Sequence, residues 1–303
     1  MLHSPSPLLH AANPDPRLSE PIGPLGVMLL DVFGPNSPYL TRVLELFWTL
    51  FPKYRRYREY IRACSQRHTP EHPHAVGHVW AVYDPAYASV LESTREGTRA
   101  LENPLGRPEL LEGIIGFQIF NYLSPQRGGS GFGLGAFRGL EQGYQHGGVG
   151  AWLLRGALEQ LALDAMDRGE PPPLGHLVEV EPMQDAKRRE SFAQKTGAIL
   201  LEGEYLEPPM LRGVSYVGPE QLKDIVPKLM QLVFYPAQTE PTLHPPNPLT
   251  LPKGSLTLRE SCVLLEGIYL DYYRLETDDP LFLHACQSLK TLESRASSPF
   301  HPT

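Results

Sequence analysis

The sequence predicts a mixed α/β fold, and three observations carry that prediction. Apolar runs of strand length alternate with amphipathic stretches of helical period along most of the chain. A glycine turn, Tyr144-Gln145-His146-Gly147-Gly148-Val149-Gly150-Ala151, leads straight into the clearest of those helical stretches. The composition, 41% hydrophobic and 20% charged over 303 residues, is that of a globular chain able to bury a full core.

Residues 1–24 are rich in Pro, Ser and His without a period and are expected to form an arm. Val27–Phe33 reads as a strand, turned by Gly34-Pro35-Asn36. Ser37-Pro38 looks like an N-cap followed by proline at the first helical position, and apolar residues at 40, 43, 44, 47 and 50/51 make a helix ending at Pro52. A second helix over about 53–64 sets Tyr54, Tyr57, Tyr60 and Ile61 against Lys53, Arg55, Arg56, Arg58 and Arg62, which reads as a solvated basic face over a core stripe. His68, Glu71, His72, His74 and His78 match no zinc spacing, so no metal is expected there.

Val79–Tyr83 and Ile114–Phe120 are strands, and the intervening 86–112 is polar and partly helical. Ser124–Gly133 mimics a dinucleotide fingerprint, yet only the strand-like Leu134–Glu141 follows it, so it reads as a hairpin loop. Downstream of the glycine turn, apolar residues at 153/154, 157/158, 161 and 165 mark one helix face, closed by Gly169 and prolines 171–173. His176–Glu181 is a short strand. Asp185 caps a helix through Thr196, with Gly197 just past its end. Ala198–Leu206 and Leu229–Tyr235 are two more strands. A proline-rich linker, 237–254, precedes the capping box Thr257-Leu258-Arg259-Glu260. That box opens one helix, with apolar positions to 275, and another follows around 281–292. These last helices, 255–303, are either a lid on the core or an oligomer contact that would make a homodimer.

The totals exclude several functions. A net charge of −7 argues against a nucleic-acid partner, whose phosphates need clustered Lys and Arg. No apolar run approaches the roughly 20 residues of a membrane span. Three scattered cysteines and the lack of a secretory leader pattern lead to the expectation of a reducing cytoplasm.

The turn itself points to an anion. A helix start offers unpaired N–H groups and the positive end of the macrodipole, and glycines let a phosphate or pyrophosphate come close. Gln145-His146-Gly147-Gly148-Val149-Gly150, continued by Ala151, fits R/Q-x-x-G-x-G/A, and in this the chain resembles the GNAT acyltransferase superfamily. Asp185–Ala198 is similar to that superfamily's second recurring stretch, a helix ending in Lys-x-Gly-Phe, with Ala198 in place of Phe. The resemblance covers about residues 25–236 and extends to the order of strands and helices.

It implies a mixed, splayed central sheet flanked by helices, and an acyl-CoA-dependent N-acyltransferase using acetyl-CoA without a metal. Gln145, His146, Gly147, Gly148, Val149, Gly150 and Ala151 would cradle the coenzyme pyrophosphate. Leu140, Glu141 and Gln142 would hydrogen-bond the pantetheine arm and polarise the thioester carbonyl. Arg155, Arg188 or Arg189 could reach the adenosine phosphates. The acceptor would be a small-molecule or peptide amine, and its deprotonation needs a base. Glu181 and Glu179 are the candidates, since burial on a strand would raise their pKa; Glu141 is a third. The superfamily's usual acid, a tyrosine four residues before the second motif's glycine, is Ala193 here, and Tyr205 is its candidate substitute. Two rival readings keep the fold: a non-catalytic acyl-CoA sensor or scaffold, and a transferase taking acyl groups from a carrier protein docked on Lys53–Arg62.

Overall fold

The computed structural model describes residues 17–18, 22–68, 73–86, 108–124, 126, 128–182, 186–201, 203–208, 227–237 and 256–296. The expected Asp185 cap and proline-rich linker, and most of the polar 86–112 stretch, lie outside them. The fold class is the mixed α/β one. The chain divides into two compact units: Met1–Tyr122 with Gly135–Gly169, and Leu123–Leu134 with Glu170–Thr303.

In the first unit the order is β1 (Met28–Asp31), α1 (Pro38–Leu50), a 3₁₀ stretch (Pro52–Tyr57), α2 (Arg58–Cys64), β2 (Ala75–Tyr83), β3 (Ile114–Leu123), β4 (Phe132–Leu140) and α3 (Val149–Asp167). The strands neighbour one another as β1-β2-β3-β4. β1 runs antiparallel to β2, with Met28 opposite Tyr83 and Asp31 opposite Trp80. β2 and β3 are buried along their whole length, which is why both read as near-continuous apolar runs. α3 lays Val149, Trp152, Leu153, Ala157, Leu161 and Ala165 into a core with Trp80, Phe120 and Tyr122. Those positions recur every three or four residues, the stripe of an amphipathic helix.

Three details differ from expectation. The helix expected over 53–64 begins as 3₁₀, because Pro52 follows directly on α1 and the chain restarts with Tyr54 N–H on the Phe51 carbonyl. Its tyrosines still form the core stripe: Tyr54 and Tyr57 lie 5.7 and 5.3 Å from the Phe137 ring, which Phe47 and Phe51 also flank. Ser37 starts α1 without a side-chain cap, leaving Pro38 as the signal that acts. The end of the N-terminal arm is docked, since Arg17 pairs in bidentate fashion with Asp167 at 2.7 and 2.8 Å and Leu18 joins the core.

The second unit contains the Ser124–Gly133 hairpin loop, β5 (Gly175–Val180), α4 (Ala186–Thr196), β6 (Ile199–Leu200), β7 (Tyr205–Glu207), β8 (Lys228–Pro236), α5 (Leu258–Glu266), a π-helical turn (Gly267–Tyr272) and α6 (Pro280–Ala296). β8 is the shared partner. It pairs antiparallel with β5, placing Glu179 opposite Leu232, and also with β6 at Val233–Phe234 and with β7 at Lys228–Met230.

The single strand expected over Ala198–Leu206 is therefore two. Leu201 still bonds the Leu232 carbonyl, but Gly203, at φ +112°, turns the chain out of the ladder before it rejoins at Tyr205. The helix expected to run on to 275 keeps its capping box, with the Thr257 hydroxyl accepting from Glu260 N–H at 3.2 Å and the Glu260 carboxylate accepting from Thr257 N–H at 2.7 Å. Beyond Glu266 it widens into the π turn, so Tyr273 N–H reaches back to Ile268. The C-terminal helices pack on β7: the Tyr269 hydroxyl donates to the Leu206 carbonyl at 2.9 Å, and Ser288 accepts from Glu204 N–H at 2.8 Å. Among the described residues, no helix is long and apolar enough to cross a membrane.

Candidate functional site

The glycine turn lies in the first unit. A short 3₁₀ turn, Gln142–Tyr144, leaves β4, and Gly148 caps α3 at φ +82° and ψ −3°. That left-handed conformation costs a side-chain-bearing residue about 1 kcal/mol or more, so glycine is required there on backbone grounds alone. The Gly148 carbonyl accepts from Ala151 and Trp152 N–H, both at 3.1 Å. The amides of Gly148, Val149 and Gly150 have no acceptor among the described residues, as expected of a helix start.

The glycines are not equivalent. A Cβ at Gly150 would meet nothing within 4 Å, whereas one at Gly147 would meet Leu25 at 2.4 Å. Gly147 thus makes room for this chain's own Leu25, and the open approach is at Gly148 and Gly150, the two glycines the motif specifies. Gln145, His146 and Ala151 are exposed. Two further contacts brace the turn: the Tyr144 hydroxyl donates to Asp84, and Arg138 donates to the Gly150 carbonyl at 3.1 Å. Neither Arg138 nor Asp84 was singled out from the sequence, because each is an ordinary surface-type residue brought to the turn by β4 and β2.

The groups expected to serve a pantetheine arm are partly engaged. Glu141 N–H is taken by the Ile115 carbonyl at 2.8 Å, and the Leu140 carbonyl accepts from the Gln145 side chain at 3.1 Å. Gln142 opens the 3₁₀ turn and is exposed. Arg155 is exposed on α3; the side chains of Arg188 and Arg189 lie outside the described residues.

The second unit holds Glu179, Glu181 and Tyr205, and their surroundings separate them. Glu181 lies just past β5, its side chain 80% exposed, paired with Lys228 at 2.9 Å. Glu179 is half-buried on β5. The Tyr205 hydroxyl donates to its Oε1, and the Tyr273 hydroxyl reaches both carboxylate oxygens, at 3.2 and 3.3 Å. Burial, then the nearby Glu207 charge, push the Glu179 carboxyl up from 4.5 to about 8, against the pull of the two phenol hydrogen bonds. Burial and the Glu179 charge hold both phenols well above the usual tyrosine value, so they remain protonated donors. A carboxylate that gains and loses its proton near neutral pH suits general-base work. Tyr205, expected as the acid, instead commits its proton to Glu179. Tyr273 was missed, and its signal was the run Tyr269, Tyr272, Tyr273 behind Gly267.

Gly197 ends α4 at φ +67°, with its N–H on the Ala193 carbonyl, so the glycine expected just past the helix end stands there.

A second buried polar group, in the first unit, was also missed. Arg67 donates to Asp31 and to His78 Nδ1, so the imidazole proton sits on Nε2 and is donated to Asp164 at 2.7 Å. Gln160 donates to the other Asp164 oxygen at 3.0 Å. His78 stacks on Phe120, ring centroids 4.7 Å apart, and is 1% exposed. Burial, reinforced by the Arg67 charge, lowers its pKa against the pull of Asp164. His78 is thus a neutral link in a structural relay. Among the described residues, no cluster of three or more His, Cys, Asp or Glu could hold a metal.

No protein-family model matches the chain, and no curated protein does. Solved structures do. The chain is similar to a GNAT-family acetyltransferase of Bacteroides thetaiotaomicron at 16% identity, over 82% of this chain and 99% of that one, with a TM-score of 0.44. It is similar to Arabidopsis thaliana NAA60 in complex with acetyl-CoA at 12% identity, over 69% and 96%, with a TM-score of 0.39. An acetyltransferase of the GNAT family from Desulfovibrio desulfuricans matches at 11% identity, over 69% and 96%, with a TM-score of 0.38. The similarity concerns the fold, and the functional reading rests on this chain's own residues.

Proposed function

We propose that this chain is an acyl-CoA-dependent N-acyltransferase, with acetyl-CoA as the donor and a small-molecule or peptide amine as the acceptor. The observation that carries the reading is the glycine turn: a left-handed Gly148, three successive amides without an acceptor among the described residues, and open space over Gly150, at the head of a 19-residue helix. Such a seat holds a pyrophosphate through backbone groups, which a chain of net charge −7 requires.

The base proposed is Glu179. An acceptor N–H bond breaks, the proton joins the carboxylate as an O–H, and the freed lone pair attacks the thioester carbon. The carbon–sulfur bond then breaks and the thiolate takes a proton from water. The three scattered cysteines, without C-x-x-C spacing, support a reducing compartment such as the cytoplasm.

The test is thiol release from acetyl-CoA in the presence of a panel of amines. Turnover on at least one amine, lost in Glu179→Gln while acetyl-CoA still binds, is the expected result. Coenzyme binding without turnover on any amine would make the protein a sensor instead.

A further inference from the structure

The C-terminal helices raise a question the glycine turn does not answer, namely what they contribute to chemistry. Their sequence turns into the second unit through one irregularity. Between Gly267 and Tyr272 the backbone is π-helical, and Tyr273 N–H bonds Ile268 rather than Tyr269. Ile268, Tyr269, Tyr272 and Tyr273 all point inward, with exposures of 0, 0, 6 and 1%. At the 3.6-residue period of a regular α-helix these four positions already share an arc of about 140°, and the wider π turn draws them closer together on that face. Such π turns are rare and are frequently found at functional sites.

The close approach is built in on the other side as well. A Cβ at Gly267 would lie 2.4 Å from the Phe132 ring, so glycine lets the turn settle against that side chain. The same segment is anchored to β7 by the Tyr269 hydroxyl on the Leu206 carbonyl, with Tyr205 and Tyr269 rings 5.4 Å apart. What the widened turn delivers is the Tyr273 hydroxyl, to both oxygens of Glu179. The groups bearing on Glu179 are Tyr205 and Glu207 from β7 and Tyr273 from the π turn, while its cross-strand partner on β8 is the apolar Leu232. Lys228, the cation on β8, pairs with Glu181.

We infer that the C-terminal helices form part of the reaction centre, with Tyr273 as a positioning residue that orients the Glu179 carboxylate for proton transfer. The inference rests on the acyl-transfer reading for its chemistry and on the π turn for its geometry. Two donors of different origin hold the carboxylate: Tyr205 binds one oxygen from β7, and Tyr273 straddles both from the C-terminal segment. Each stabilises the ionised form, offsetting burial and the Glu207 charge.

The experiment is a titration of the Glu179 carboxyl by carbon-13 NMR on the full chain, assigned with Glu179→Gln, in the wild type, Tyr273→Phe and Tyr205→Phe. Losing one hydrogen bond to a charged group moves a carboxyl by about one pH unit. The expected result is a wild-type midpoint near 8, raised by about one unit in Tyr273→Phe, with acetyl-CoA affinity unchanged by calorimetry. The acid limb of kcat/KM moves by the same amount, which a merely structural role would not produce. Tyr205→Phe moves the midpoint in the same direction, giving a second variant that reads the same carboxylate. An identical midpoint in wild type and Tyr273→Phe, or a wild-type midpoint in the ordinary carboxylate range, overturns the inference. Failure of the wild type to bind acetyl-CoA overturns the acyl-transfer reading instead, and is told apart because the carboxyl titration needs no coenzyme.

Discussion

Asp164 and Glu179 are both enclosed carboxylates, and they have opposite characters. Asp164 sits at the end of a relay in which Arg67 supplies a cation, His78 a neutral imidazole and Gln160 an amide. Among the described residues, the donors to Glu179 are two neutral phenols, with a second carboxylate, Glu207, nearby. Through His78 the first group is tied into a structural network that includes the Arg67–Asp31 ion pair, whereas the second, beside Glu207, is poised to exchange a proton. A buried acid whose pKa is raised beside a second carboxylate is a candidate for chemistry, whereas one tied into a hydrogen-bonded network with an ion pair serves architecture.

The sharpest way to break the contrast is to remove the cation. Arg67→Met leaves Asp31 without its ion-pair partner and His78 without a donor. It should destabilise the protein by about 3 kcal/mol in denaturant unfolding, with no change in the pH profile of transfer. Glu179→Gln should do the reverse. It lowers acyl transfer about 100-fold or more, the usual contribution of a general base, and leaves stability at neutral pH undiminished.

The two sites should also fail at opposite ends of the pH scale. Glu179 has a folded pKa above its unfolded 4.5, so its contribution to stability is full below about 4.5 and is lost as pH rises toward about 8. His78 is held below 6.5 in the folded chain, so its contribution is full above that value and is lost as pH falls beneath it. Urea unfolding across pH should therefore show a maximum on the mildly acidic side. Glu179→Gln should flatten the alkaline side of that curve and leave the acid side in place. The smallest effect belongs to Glu181→Gln: an exposed pair with Lys228 is worth about 0–1 kcal/mol, and transfer should stay within about twofold of the wild type.

Much of this molecule can be read from local sequence. Gly148 and Gly150 precede a 3.6-residue apolar repeat, and both the turn and the helix stand where that pattern puts them. Glu179 is conspicuous as a charge on a strand-like run. Local signals fail where partners are distant. The links of the Asp31–Arg67–His78–Asp164 relay span 36, 11 and 86 positions, and no periodicity connects them. Leu25 takes the space over Gly147 from the far end of the unit's sequence, so a glycine that reads as ligand-facing serves packing. The break between β6 and β7 did carry a sign, Gly203 inside a strand pattern. The π turn carried a weaker one, since inward positions 268, 269, 272 and 273 pass for an ordinary helical stripe.

The glycine turn is most directly tested by calorimetric titration of acetyl-CoA into the wild type and Gly150→Leu. Position 150 has a helical place on α3, ordinary φ and nothing within 4 Å of its Cβ, so the variant should fold with an unchanged Tm while its side chain fills the seat. Saturable binding by the wild type, abolished in Gly150→Leu, is the expected result. A folded wild type that binds neither acetyl-CoA nor free CoA, or a variant that binds as tightly as the wild type, would contradict it.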